Sequence, residues 1–185
     1  MQNLYTPSVA VDHQSQPGNK GHKDGSGVFT NSRFGGRLDN QLRRIFMDVG
    51  VLSQSSGSAY VEFDSTKVIC SVYGPHVVEG SEASFSEEGQ LACDFRYAPF
   101  SAAGGERREP DRRMAEDEVE MSQLLSRALA GSVQLAKLPK SRLDVRVAVL
   151  RDDGGALAAA TVAASLALAT AGGVELADLV AACTV

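Results

Sequence analysis

The chain has 185 residues, 43% hydrophobic and 22% charged, a composition typical of one globular domain with or without a tail. A formal net charge of -5 excludes a global attraction to nucleic acid, so an RNA contact requires a local basic patch or a larger assembly. The cysteines Cys70, Cys93 and Cys183 are odd in number and widely separated, which fits buried thiols better than disulfides or a zinc site. We therefore expect an intracellular protein without a metal site.

The chain begins with a polar segment, residues 1–33, rich in Gly, Ser, Asn, Gln and Pro. This composition predicts a disordered tail, and the absence of an apolar run there argues against a secretory signal. Residues 34–185 form the predicted domain.

Strand patterns open the predicted domain. The apolar stretch 45–52 predicts a first buried element, and the alternating runs 57–63 and 66–73, joined by a two-residue turn, predict a β-hairpin. We expect Gly74 and Pro75 to end the second strand. His76 then falls in a loop, and we interpret it as an ordinary loop histidine because no partner nucleophile is implied by spacing.

A further strand at 91–97 leads into a glycine-bearing loop that holds the densest basic run of the chain, namely Arg107, Arg108, Arg112 and Arg113. These four arginines are the candidate RNA-binding residues. Interleaved acidic residues offset most of their charge, so a solvated loop without a ligand is the alternative interpretation.

Residues 114–130 follow the pattern of an amphipathic helix. Its predicted inner face consists of Met121, Leu124, Leu125, Ala128 and Leu129. Its first turns are acidic, which complements the helix dipole and repels a phosphate approaching that end. The acidic residues are Glu116, Asp117, Glu118 and Glu120.

The most informative stretch is 143–173, in which a period-two strand is followed by Gly154 and Gly155 and then by an uncharged helix at 156–171. A helix without charge has to be surrounded by protein. At about 24 Å it is too short for a membrane span, so the stretch predicts an α/β domain. A final strand is predicted at 179–185, and because the chain stops inside it we expect a second half of the fold to be missing.

The glycine turn before this helix has two interpretations. Unpaired N–H groups at a helix N-terminus form an anion site. Alternatively, the glycines only make the turn and Asp153 caps the helix. The neighbours Asp152, Asp153, Ala156 and Leu157 favour the second interpretation, because none of them is cationic.

Several motifs, in this order along the chain, resemble the N-terminal half of the RNase PH family. They are Gly35-Gly36-Arg37-Leu38-Asp39, Gly57-Ser58-Ala59-Tyr60-Val61-Glu62, Ser126-Arg127-Ala128-Leu129 and Asp153-Gly154-Gly155. Within the family, the segments 93–100 and 174–180 most resemble ring subunits of the eukaryotic RNA exosome. The resemblance implies an RNase PH-like α/β (α+β) fold, a mixed β-sheet packed on helices, truncated here at its C-terminal end.

Active members of that family phosphorolyse RNA from its 3′ end. The resemblance implies an arginine on the helix after the basic loop and a Ser/Thr-Arg pair after the double glycine, which together hold inorganic phosphate. The matching positions in this chain are Asp117, Ala156 and Leu157. We therefore expect no catalytic residues, and no cofactor is implied.

These departures predict a non-catalytic structural subunit of an exosome ring that helps to thread RNA during rRNA maturation and mRNA turnover. The resemblance implies other RNase PH-like ring subunits and cap subunits with RNA-binding domains as partners, without a membrane, in nucleus, nucleolus and cytoplasm. Two alternatives stay open: an active phosphate-dependent 3′-5′ exoribonuclease that uses Arg112 or Arg113, and a free-standing RNA-binding protein. The second has little sequence support, since aromatic residues make up only 6% of the chain.

Overall fold

The computed structural model describes residues 41–77, 88–102 and 112–184. Contacts divide the chain into the units Met1–Leu42 and Arg43–Val185, and the fold described below belongs to the second unit. The predicted tail, residues 1–33, and the candidate residues Arg107 and Arg108 lie outside the described residues.

The described part of the domain contains a five-stranded sheet of order β1-β2-β3-β5-β4 and two α-helices. The strands are β1 (Ile45–Val49), β2 (Gly57–Phe63), β3 (Thr66–Val77), β4 (Gln90–Tyr97) and β5 (Ser141–Arg151), and the helices are α1 (Arg112–Ala130) and α2 (Ala156–Thr170). β4 and β5 are parallel, whereas the other neighbours are antiparallel. The predicted mixed α/β fold is confirmed.

The core lies between one face of the sheet and the two helices. Period-two alternation places Ala59, Val68 and Val147 on this face, where each is at most 2% exposed. α2 packs over β2 and β3, and α1 packs against β4. Small side chains on α2 allow the helix to approach the sheet closely.

α2 is enclosed by protein along almost its whole length, as its uncharged sequence predicts. Residues 169 and 170 are exposed, whereas residues 156–168 are buried or half-buried. The segment after α2 contributes to this cover, since Val180 packs against the core and its N–H group donates to Ser165 Oγ at 2.8 Å. The predicted strand at 179–185 is wrong for the described residues 179–184, which contain no strand.

β3 does not end at Gly74 and Pro75, as the sequence suggests, but continues to Val77. The register with β5 shifts between Tyr73 and His76, so the two residues are accommodated as an irregularity in an otherwise paired strand. His76 therefore lies in a strand and not in a loop. Its Nε2 atom is 3.6 Å from an oxygen of Asp144.

β1 is not a buried element, because all five of its residues are exposed. It is the outermost strand on its side of the sheet, and α2 lies over β2 and β3 instead of over β1. An apolar sequence is therefore compatible with an exposed position when the covering helix lies elsewhere.

The cysteines have three different environments, although all of them are free thiols. Cys70 is buried, Cys93 is half-buried and Cys183 is exposed, so the prediction of buried thiols is wrong for Cys183. Burial raises the pKa of Cys93 to about 12, which leaves this thiol protonated and unreactive near neutral pH. No helix in the described ranges is both long and apolar enough to cross a membrane.

On the sheet face opposite the helices, Glu62 accepts hydrogen bonds from the Tyr60 hydroxyl and, at 2.9 Å, from Lys67 Nζ. Partial burial raises the pKa of Glu62, but the hydrogen bonds and the positive charge of Lys67 have the larger combined effect. The net result is a pKa below the ordinary value. Ionised Glu62 therefore stabilises the fold.

We expect Glu62→Gln to lower the free energy of unfolding at pH 7 by about 1 kcal/mol, because it removes a charged acceptor for two donors. The contribution of Glu62 is complete above the unfolded carboxyl pKa of about 4.3 and is lost as the pH falls through the lower folded pKa. Urea unfolding of both proteins between pH 7 and pH 3 should show their stabilities converging. Glu120→Gln, at an exposed carboxylate with no ion pair to the described residues, is the control; equal acid sensitivity of native and Glu62→Gln proteins would contradict the expectation.

Candidate functional site

The turn that precedes α2 has the backbone geometry of an anion site. Gly154 and Gly155 have φ values of 91° and 75°, in the left-handed region that favours glycine. The N-cap residue is Gly155, which provides no side-chain cap, so the prediction of Asp153 as N-cap is wrong. Two successive left-handed residues move the helix start beyond Asp153. Asp152 instead accepts the Gly154 N–H at 3.0 Å within the turn.

Two side chains from distant parts of the chain hold this turn in place. Thr66 is fully buried, and its Oγ1 atom accepts the Asp153 N–H at 3.0 Å and donates to the Gly154 carbonyl at 2.8 Å. Arg43 Nη1 donates to the carbonyl oxygens of Asp153 at 3.1 Å and Gly154 at 2.9 Å. Sequence reasoning missed both contacts, because residues separated by 87 to 111 positions leave no periodic signal.

The first turn of α2 offers backbone donors but apolar side chains. The helical hydrogen bonds begin with the Ala159 N–H, which donates to the Gly155 carbonyl at 3.1 Å, so residues 156–158 have no acceptor within the helix. Ala156 is buried, and Leu157 is half-buried against the core. A Cβ atom at Gly155 would lie 2.7 Å from Thr184 Oγ1, so the later segment also approaches this turn closely.

The start of α1 and the start of α2 lie at the same end of the sheet. β4 and β5 are parallel, so their carboxyl ends meet there. Beyond β4, the Ser101 carbonyl accepts the Asp152 N–H at 2.8 Å, and on α1 Glu118 accepts the Tyr97 N–H at 2.9 Å. This topology places the positions Asp117, Ala156 and Leu157 at one end of the domain.

α1 begins at Arg112, two residues earlier than the pattern predicts. Arg112 and Arg113 therefore occupy the first helical turn and not a loop. Both side chains are exposed, and Arg112 Nε lies 3.1 Å from Glu116 Oε1. Asp117 is exposed one turn further along the helix. The two described members of the arginine cluster thus lie close to the end of the sheet that carries the turn.

The expectation of an acidic first turn is wrong, because the earlier start makes that turn basic. Glu118 instead faces inward and is only 7% exposed. Its carboxylate accepts from Tyr97 N–H and Arg96, while Ser122 Oγ accepts the Phe95 N–H at 2.9 Å. These two side chains satisfy N–H groups at the free edge of β4.

The inner face of α1 is narrower than the sequence indicates. Leu125 and Leu129 are buried and Met121 is half-buried, but Leu124 and Ala128 are exposed. The helix packs against the edge of the sheet, where fewer of its residues meet protein. In the described residues, no group of three His, Cys, Asp or Glu side chains is arranged to hold a metal ion.

Comparison with known protein families gives a match over residues 41–173 to RNase PH, described as the 3′ exoribonuclease family, domain 1. Among curated proteins, the human exosome complex component MTR3 is 44% identical over 160 residues, covering 80% of this chain and 57% of that protein. The exosome complex component Rrp41 of the archaeon Cenarchaeum symbiosum is 38% identical over 151 residues, covering 82% and 60%. The chain thus spans little more than half the length of these relatives.

A solved structure shares the fold. The crystal structure of rice Rrp46 matches with a TM-score of 0.62 and 26% identity, covering 80% of this chain and 64% of that one.

We expect Thr66→Val to lower the free energy of unfolding by about 1–3 kcal/mol, because it leaves the Asp153 N–H and the Gly154 carbonyl without their buried partner. Thermal and urea unfolding measure the change. The matched control is Thr170→Val, at an exposed threonine that bonds only to its own helix. Equal stabilities of the two variants would show that Thr66 does not hold the turn.

Proposed function

Since the chain belongs to the RNase PH family of 3′ exoribonuclease domains, we propose that it is a non-catalytic structural subunit of an exosome core ring. The proposal that the chain belongs to an exosome ring is supported by its similarity to MTR3 and Rrp41, both of which are named components of the exosome complex. The lack of catalysis is supported by the chain's own residues at the turn before α2.

The observation on which the proposal mainly rests is that the residues at the phosphate-ligand positions implied by the resemblance are not cationic. Holding phosphate for phosphorolysis requires cationic donors aimed at its oxygens, for which arginine is well suited. Here Asp117 is an exposed carboxylate, Ala156 is buried, and Leu157 packs against the core. Loss of such preorganised donors removes most of the electrostatic stabilisation that the reaction needs.

Arg43 does not restore this charge. Its Nη1 atom is bonded to the carbonyl oxygens of Asp153 and Gly154, and these bonds direct the guanidinium to the acceptor side of the turn. The structure therefore shows this cation bound to backbone acceptors of the turn.

In this proposal the subunit contacts other RNase PH-like ring subunits and cap subunits with RNA-binding domains, and RNA passes through the assembled ring. The complex acts in rRNA maturation and mRNA turnover, in the nucleus, nucleolus and cytoplasm. The net charge of -5 supports RNA binding through an assembly, since the chain alone lacks a general attraction for polyanions.

A second candidate is an active phosphate-dependent 3′-5′ exoribonuclease. The observation in its favour is the position of Arg112 and Arg113 in the first turn of α1, at the same end of the sheet as the turn before α2. Against it, Arg112 is paired with Glu116, and Asp117 follows one turn later.

We expect the purified chain, incubated with single-stranded RNA, inorganic phosphate and Mg²⁺, to release no nucleoside diphosphates. The same assay on the ring assembled with its other subunits tests whether neighbours complete a site. Phosphate-dependent release that is abolished by Arg112→Ala and Arg113→Ala would establish the second candidate and refute the first.

We expect the double change Arg112→Ala and Arg113→Ala to weaken RNA binding by the assembled ring, because it removes two exposed cations that are candidates for RNA contact. For single-stranded RNA, the slope of log K against log salt should become shallower by about 1.4, since each phosphate contact contributes about 0.7. Arg127→Ala, which removes an exposed cation at the other end of the same helix, is the control. An unchanged slope would contradict an RNA contact at these residues.

A further inference from the structure

β1 presents apolar side chains on both faces at the outer margin of the sheet. Ile45 and Met47 lie on the helix side and are 55% and 44% exposed, while Phe46, on the opposite face, is 51% exposed and packs edge-on against Tyr60. A strand that exposes large apolar residues at a sheet edge is a template for pairing with another strand.

The hydrogen-bond pattern shows which backbone groups of β1 are available. The Gly50 N–H donates to the Ser58 carbonyl, and the Asp64 N–H donates to the Arg44 carbonyl. In an antiparallel ladder these pairs direct the even-numbered residues of β1 toward β2 and the odd-numbered residues away from the sheet. The outward set is Ile45, Met47 and Val49.

One of these outward groups is already used. The Val49 N–H donates to Asp48 Oδ1 at 2.9 Å, so it is not available to an incoming strand. In the part of the chain that the structure describes, the open edge of β1 is therefore short, and its available N–H groups are those of Ile45 and Met47. An occupant has to form its ladder with these two residues.

We propose that this occupant is a second copy of the chain, whose β1 pairs antiparallel with the first around a two-fold axis at Phe46. Ile45 of each copy then lies opposite Met47 of the other, and these pairs exchange four backbone hydrogen bonds. Phe46 lies opposite Phe46. Arg44 lies opposite Asp48 on both sides of the axis, so the strand is complementary to itself in charge.

The alternative register centred on Met47 is less favourable. It places Ile45 opposite Val49, whose N–H is bonded to Asp48, and so loses ladder hydrogen bonds. It also places Phe46 opposite Asp48 and leaves Arg44 opposite Gly50. Only the register centred on Phe46 uses the open groups alone and pairs opposite charges.

The packing of α2 leaves room for this arrangement. α2 lies mainly over β2 and β3 and only slightly over β1. The two-fold axis runs perpendicular to the sheet, so the helices of both copies lie on the same face of the joined sheet. A five-residue strand buries little area compared with the 1,200–2,000 Å² of stable complexes, so the dimer is weak and depends on concentration. Pairing through β1 requires no assumption about RNA or catalysis.

The test is sedimentation equilibrium of the full 185-residue chain over a range of concentrations, with circular dichroism to check folding. We expect a monomer–dimer equilibrium. Asp48→Arg places arginine opposite Arg44 and should raise the dissociation constant about tenfold or more. The double variant Arg44→Asp and Asp48→Arg restores opposite charges across the axis and should restore the dimer.

A second pair of variants tests the backbone ladder. Met47→Pro removes an N–H group that points away from its own sheet, so the edge strand should tolerate it while the dimer is lost. Met47→Ala keeps this N–H group and should retain more of the dimer than Met47→Pro. A monomer at all concentrations, or a dimer unaffected by Asp48→Arg and Met47→Pro, would overturn the proposal. It would also be overturned if β1 bound only a different ring subunit.

Discussion

The close packing of α2 on the sheet is the constraint on which the rest of this domain depends. A Cβ atom at Gly57 would lie 2.2 Å from the Ala167 carbonyl oxygen, so helix and sheet backbones approach as closely as their atoms allow. At this contact only small side chains fit between the helix and the sheet. This contact fixes the position of α2, and it therefore also fixes the position of the turn that precedes α2.

That turn has the backbone shape of an anion site, and the side chains that follow it, Ala156 and Leu157, are apolar. Thr66 and Arg43 hold it with hydrogen bonds to Asp153 and Gly154, and these contacts serve the fold whether or not a ligand binds. Packing contacts therefore account for the shape of the turn. In the function that we propose, the apolar residues at the start of α2 remove phosphate binding and leave this scaffold unchanged.

The two edge strands of the sheet, β4 and β1, differ in whether side chains accept their outward-facing N–H groups. At β4, Glu118 and Ser122 accept N–H groups that would otherwise be unpaired. At β1, the Val49 N–H donates to Asp48, and large apolar side chains are exposed. Side chains of α1 thus satisfy two N–H groups at the β4 edge. The β1 edge is the one at which we propose that a second copy of the chain pairs.

The sequence by itself determined the elements whose patterns are local. Alternation predicted the β2–β3 hairpin and β5, the glycine pair predicted the turn, and an uncharged stretch predicted the enclosed helix α2. Motifs in order along the chain also identified the family. That Asp117, Ala156 and Leu157 occupy its phosphate-ligand positions stays a prediction from the resemblance. Each of these inferences depends on residues within a few positions of one another or on their identity alone.

Only the tertiary structure decided the features that depend on distant contacts. The apolar residues of β1 are exposed because α2 lies over other strands, and α1 faces a sheet edge that buries Glu118 and leaves Leu124 exposed. The roles of Thr66 and Arg43 arise from contacts across 87 to 111 residues. Periodicity records which residues share a face of one element, but it carries no information about which other element covers that face.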